Sequence, residues 1–179
     1  MPIGWMLFAI RMTVCVQGQE IAPPGAWTKA QTLSEHILER AGIEAIWQQG
    51  VECLPPAVCI QVSRILPPRV HPDTVGYTIF PNDGGGSYAA IYLPAVMETA
   101  HGLEVDPGTV LGAALTHEIG HLLLGSRAHS SGIMTARFDS AQMRVASRGE
   151  LLFRPGEAQR LRSAAAGRSA TATGCLSFP

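Results

Sequence analysis

The segment His117-Glu118-Ile119-Gly120-His121 lies inside a stretch, Val110 to Leu124, that is otherwise almost wholly apolar. No other feature of the chain restricts its fold as much. A helix that is apolar on all sides has to be buried. Two imidazoles and a carboxylate are costly to bury unless they are paired or hold a metal. Residues four apart share one helical face, so His117 and His121 can grip one ion while Glu118 stands at the flank of that face. The ends of this helix are also written in the sequence. Asp106 suits the N-cap and Pro107 the first helical position, and Gly125 suits the left-handed residue that ends a helix. Leu111, Leu115, Ile119 and Leu122 form one stripe at helical spacing.

Two imidazoles do not complete a metal site, so a third ligand is required. A helix continued from His121 to His129 would carry the latter roughly 12 Å along the axis. The chain must therefore stop at Gly125 and fold back through Ser126, Arg127 and Ala128 if His129 is to join the other two. Two downstream acids, Glu150 and Glu157, stay open as rivals, since a glutamate on a later helix can also serve as a third ligand.

The stretch HEIGHLLLGSRAHSSGIM, His117 to Met134, resembles the metzincin zinc peptidases. Their pattern is HExxHxxGxxH followed by a turn that carries a methionine. His117, Glu118, His121, Gly125 and His129 match it in order and type. His129-Ser130 is similar to the His-Ser pair of the matrixin branch, and Gly132-Ile133-Met134 to the methionine turn. The seven residues between His121 and His129 are two more than the pattern has, and Gly125 stands one place late. The resemblance implies an α+β domain in which a small mixed sheet packs on a central zinc-binding helix. It also implies one catalytic Zn2+ on His117, His121 and His129, an apolar floor from Met134, and Glu118 as the general base that activates water. The expected activity is that of a zinc-dependent endopeptidase acting on a peptide or protein substrate. Two alternatives remain: a non-catalytic zinc-binding interaction module, and a zinc amide hydrolase acting on a non-peptide substrate.

A length of 179 residues suits one domain with a real core. Thirteen basic residues face fourteen acidic ones with no basic run, which gives no electrostatic footprint for nucleic acid. The apolar run from Trp5 to Val16, interrupted by Arg11, is too short to span a membrane. It reads either as the core of a signal peptide over residues 1–18, which would make the protein secreted or periplasmic, or as a first strand. Cys53 and Cys59 flank Leu-Pro-Pro-Ala-Val and are expected to close a small disulfide loop in an oxidising compartment. Cys175 has Cys15 as a partner only if the N-terminus is retained.

Along the rest of the chain, residues 19–26 read as a linker and 27–168 as the catalytic domain, with a loose tail over 169–179. Thr28 with Gln31 suggests a capping box for a first helix, whose inner face would be Ala30, Leu33, Ile37, Leu38 and Ala41. Strands are expected over Ile43–Gln48, Val58–Ile65, Val75–Phe80 and Ser87–Leu93. The last of these is expected to present an open edge on which an extended peptide adds as a strand. A turn at Pro81–Gly86, a short helix over Pro94–Ala100 and a closing helix over Pro155–Ala166 complete the reading. Residues that set specificity are expected between Thr135 and Leu152.

Overall fold

Runs of apolar residues at strand length, set against helical stripes, sort the chain into a sheet with helices on it. The computed structural model describes residues 9–50, 57–68, 70–80 and 88–168. Strands β1 (Ile10–Gln17), β2 (Ile43–Gln49), β3 (Val58–Ser63), β4 (Gly76–Ile79) and β5 (Tyr88–Tyr92) form one mixed sheet in the order β2-β1-β3-β5-β4. Four strands run parallel, and β4 is antiparallel to β5. The register sets Val14 beside Val58, Val16 beside Ile60, Ile60 beside Ala89 and Val62 beside Ile91. Side chains alternate faces along a strand, so these apolar residues share one face, and all are buried in the core. The helices are α1 (Ala26–Arg40), α2 (Leu93–Gly102), α3 (Pro107–Leu124), α4 (Ser140–Ala146) and α5 (Pro155–Arg168). The domain is α+β.

Helix α3 is buried from Gly108 to Leu123, as its composition requires. Asp106 caps it by accepting a hydrogen bond from the Gly108 amide at 2.8 Å, and Gly125 ends it at φ 59°. Small residues let α1 approach it closely. A Cβ at Gly112 would lie 2.8 Å from the Ala30 carbonyl oxygen and 3.0 Å from the Leu33 Cβ. The buried hydroxyls of Thr116 and Ser34 meet across the same contact at 3.0 Å.

The inner face of α1 is the expected one, with Ala30, Leu33, Ile37 and Leu38 all buried. Its start is not. Gly25 takes the left-handed conformation at φ 78° and turns the chain into the helix at Ala26. Thr28 therefore lies within the first turn, and the Gln31 amide donates to Glu35 instead of closing a capping box.

Residues 10–17, which belong to the N-terminal apolar run, form β1. They lie between β2 and β3, with Val14, Cys15 and Val16 buried. Gln19–Ile21 is a short 3-10 turn within the segment read as a linker. Cys15 and Cys59 are both disulfide-bonded. Cys53, the turn at Pro81–Gly86 and the tail over 169–179 fall outside the described residues. Among those described, no helix is long and apolar enough to cross a membrane.

A second expectation is overturned. The segment around Ser87–Leu93 does not offer an open edge, because β5 lies between β3 and β4. Its Ala89, Ala90 and Ile91 are all buried, the continuous apolar run that suits an interior strand. Among the described residues the edges are β2 and β4, and the one that borders Glu118 is β4, whose residues are only half-buried or exposed.

Gly112→Ala places a methyl against backbone and is expected to cost about 1–3 kcal/mol of stability. Urea denaturation of the variant beside wild type measures this, and an unchanged midpoint would mean that α1 and α3 have room to separate.

Candidate metal centre

His117 and His121 lie one turn apart on α3, with ring centroids 4.5 Å apart and planes at 83°. Each is oriented from behind by a backbone carbonyl. The His117 Nδ1 lies 2.8 Å from the Ile133 carbonyl oxygen, and the His121 Nδ1 lies 2.6 Å from that of Ser126. A carbonyl only accepts, so each Nδ1 carries the proton and each Nε2 keeps its lone pair for a metal. Beyond Gly125 the chain folds back as a loop and delivers His129. Its ring centroid lies 5.3 Å from that of His117 and 5.1 Å from that of His121. Ligand atoms of the three histidines all lie within 4.8 Å of one another, so the cluster could hold a metal ion. His117 and His121 are buried and His129 is exposed.

Burial drives the His117 pKa down from its ordinary 6.5 to about 4, against the backbone hydrogen bond, and the two neighbouring imidazoles add to the fall. His121 is lowered in the same way, again chiefly by burial. Both rings are neutral at neutral pH, the form that ligates.

Beneath the histidines lies Met134, fully buried. It packs on Gly120, where a Cβ would come within 2.5 Å of the Met134 sulfur and 2.9 Å of the Phe153 ring. The glycine inside the HEIGH motif therefore makes room for the methionine, a role the sequence reading did not assign. The turn carrying Met134 is closed by the Ser130 amide donating to the Met134 carbonyl at 2.8 Å. The Ile133 amide donates to the Leu152 carbonyl at 3.1 Å. Gly132 supplies the positive φ of 73° that this turn needs.

Glu118 is buried beside the cluster, under the edge strand. The Thr78 hydroxyl donates to its Oε2 at 2.6 Å, and a Cβ at Gly76 would lie 2.8 Å from its Oε1. Burial raises the carboxyl pKa from 4.5 to about 7, and the Thr78 bond acts in the opposite direction. Gly76 and Thr78 were not anticipated. Their signal is the period-two spacing that puts both on one face of β4, legible only once β4 is known to be the edge.

Neither rival acid joins the cluster. Glu150 is exposed and pairs with Arg148 at 2.8 Å. Glu157 is buried on α5, where it accepts from the Ser130 hydroxyl at 2.6 Å, the Arg154 amide at 3.0 Å and the Arg154 guanidinium at 3.3 Å. Its carboxylate thereby anchors the residue that follows His129.

A cleft of about 760 Å³ opens over the three histidines and Glu118. One wall is β4 and the segment leading to it. The other is the return loop and residues 135–138, where the Phe138 ring stands edge-on to His117 at 6.0 Å. No protein-family model, no curated protein and no solved structure matches this chain.

Loss of His129 as a ligand, in His129→Ala, is expected to abolish stoichiometric Zn2+ uptake. Glu157→Ala should keep the stoichiometry while weakening affinity about 10- to 100-fold, as removal of an outer-shell partner does. Competition with a chromophoric chelator reads both, and unchanged affinity in Glu157→Ala would dismiss the anchor.

In the metal-free protein the effects of burial on His117 and Glu118 oppose each other. His117 binds fewer protons folded than unfolded between pH 4 and 6.5, so its contribution to stability grows as pH rises there. Glu118 keeps its proton when folded between pH 4.5 and 7, so its contribution shrinks as pH rises. Metal-free Glu118→Gln is thus expected to gain stability more steeply than metal-free wild type from pH 4 to 6.5. Parallel slopes in thermal melts across that window would refute this.

Proposed function

We propose that this chain is a zinc-dependent endopeptidase of the metzincin type. The observation that carries the reading is a single juxtaposition. Three imidazoles converge beside a buried carboxylate, and both lie at the floor of a cleft bordered by the open edge of a sheet.

Zinc held by three neutral imidazoles supplies a Lewis acid that brings the pKa of a water toward 7 and polarises a carbonyl. His117, His121 and His129 would present the ligand nitrogens, and the carbonyls of Ile133 and Ser126 fix the first two rings before any ion arrives. Glu118, with its pKa raised to about 7, is poised near working pH. It would accept the proton of the attacking water and return it to the leaving amine. The Thr78 hydroxyl holds one carboxylate oxygen in place during both transfers. Among the described residues no strand lies beyond β4, so an extended peptide would add along its outer side by main-chain hydrogen bonds.

The edge strand is what favours a peptide over a small amide. A module that merely held a metal would not need the buried acid at 118, which costs free energy to keep. The disulfide-bonded state of Cys15 and Cys59 suits an oxidising compartment, in keeping with a secreted or periplasmic location.

Glu118→Gln is expected to bind one Zn2+ per chain like wild type and to lose about 10²- to 10⁴-fold in cleavage of a labelled casein. Chelation should abolish wild-type cleavage and Zn2+ should restore it. Cleavage by Glu118→Gln within a few-fold of wild type would remove the carboxylate from the chemistry. A zinc-loaded wild type that hydrolyses small amides but no peptide would favour the amide-hydrolase alternative.

A further inference from the structure

The cleft is asymmetric in charge. Arg127 and Arg137 both line it, both are exposed, and neither forms an ion pair among the described residues. The exposed acid on the lining is Asp73, whose basic neighbour is His71 at 3.6 Å, so it neutralises neither arginine. Glu118 lies below, buried and committed to Thr78.

The two guanidiniums also have definite places along the cleft. The Arg127 guanidinium lies over the Phe80 ring at 5.3 Å, a stacking that restrains an otherwise mobile side chain. Phe80 directly follows β4, and Thr78 of that strand touches Glu118. Two strand residues span about 7 Å. A peptide laid on β4 with its reacting bond near Glu118 therefore brings a side chain about two residues away up to Arg127. Arg137 belongs to the facing wall, next to Phe138, whose ring stands against His117.

Building on the endopeptidase reading, we propose that the cleft selects acidic peptides. Aspartate or glutamate side chains within about two residues of the reacting bond are bound by Arg127, held over Phe80 just past β4, and by Arg137 beside Phe138. Arginine suits this role because its planar fork matches a carboxylate with two hydrogen bonds and keeps its charge at every working pH.

The test uses the zinc-loaded full chain and matched fluorogenic peptides that differ only near the expected bond, carrying Asp or Glu, Asn or Gln, or Lys. Wild type should prefer the acids over their amides by about three- to tenfold in kcat/KM at low salt. At about 1 M NaCl, where the Debye length is near 3 Å, that preference should level. Arg127→Glu and Arg137→Glu should each lose it and gain toward Lys peptides. The same peptides are titrated by fluorescence anisotropy, so that selectivity is read whether or not a bond is cut. Cleavage with equal rates on acidic, amide and Lys peptides overturns the proposal and leaves the endopeptidase reading standing. Selective binding of acidic peptides with no cleavage does the reverse.

Discussion

Two hydrogen bonds organise the candidate centre: His117 Nδ1 to the Ile133 carbonyl, and His121 Nδ1 to the Ser126 carbonyl. Each acts at both of its ends. On the imidazole it fixes ring orientation and tautomer, so that the free nitrogen faces the third histidine. On the backbone it fixes a segment outside the helix, the start of the return loop in one case and the methionine turn in the other. The helix could not carry these polar rings in an apolar setting without such partners, and the loop gains a further hold where the Ser130 hydroxyl donates to Glu157. The second bond fixes the Ser126 carbonyl at the start of the loop that returns His129 to the other two histidines.

Much of this was legible in the sequence, because it depended on local rules. Asp106, Pro107 and Gly125 mark the ends of α3, the apolar composition of that helix demands burial, and the stripe on α1 from Ala30 to Leu38 points inward as its spacing requires. The three histidines follow from the same reasoning. What was not legible depended on strand order. Strand β5 sits inside the sheet, although it follows β4 in the chain. Nothing in a strand's own sequence states which neighbour it will take, and the edge was assigned to the wrong strand for that reason. Thr78 and Gly76 were missed with it, since their meaning depends on β4 lying over Glu118. The capping box at Thr28 failed for a smaller cause: a glycine after two prolines turned the chain into its helix three positions earlier than a hydroxyl cap at Thr28 would have done.

Glu118 shows how the two kinds of information meet. Its place beside His117 is a matter of helical spacing, but its protonation behaviour comes from what covers it. The strand above removes water and raises its proton affinity, while the Thr78 hydroxyl on that strand acts in the opposite sense. The acid therefore answers to an element that begins about forty residues earlier in the chain. A motif of five residues names the participants, and the sheet edge sets their chemistry.

The contacts around the methionine close a circuit. From His117 the path runs to Ile133, from the Ile133 amide to the Leu152 carbonyl, on to Phe153, and through Phe153 and Met134 back to Gly120 on the same helix. Such a ring behaves like a braced truss, in which each member is located from two directions. Its rigidity is shared with residues that never approach an ion, so a crowded or shortened side chain near position 153 reaches the ligand set as directly as a change within the helix itself.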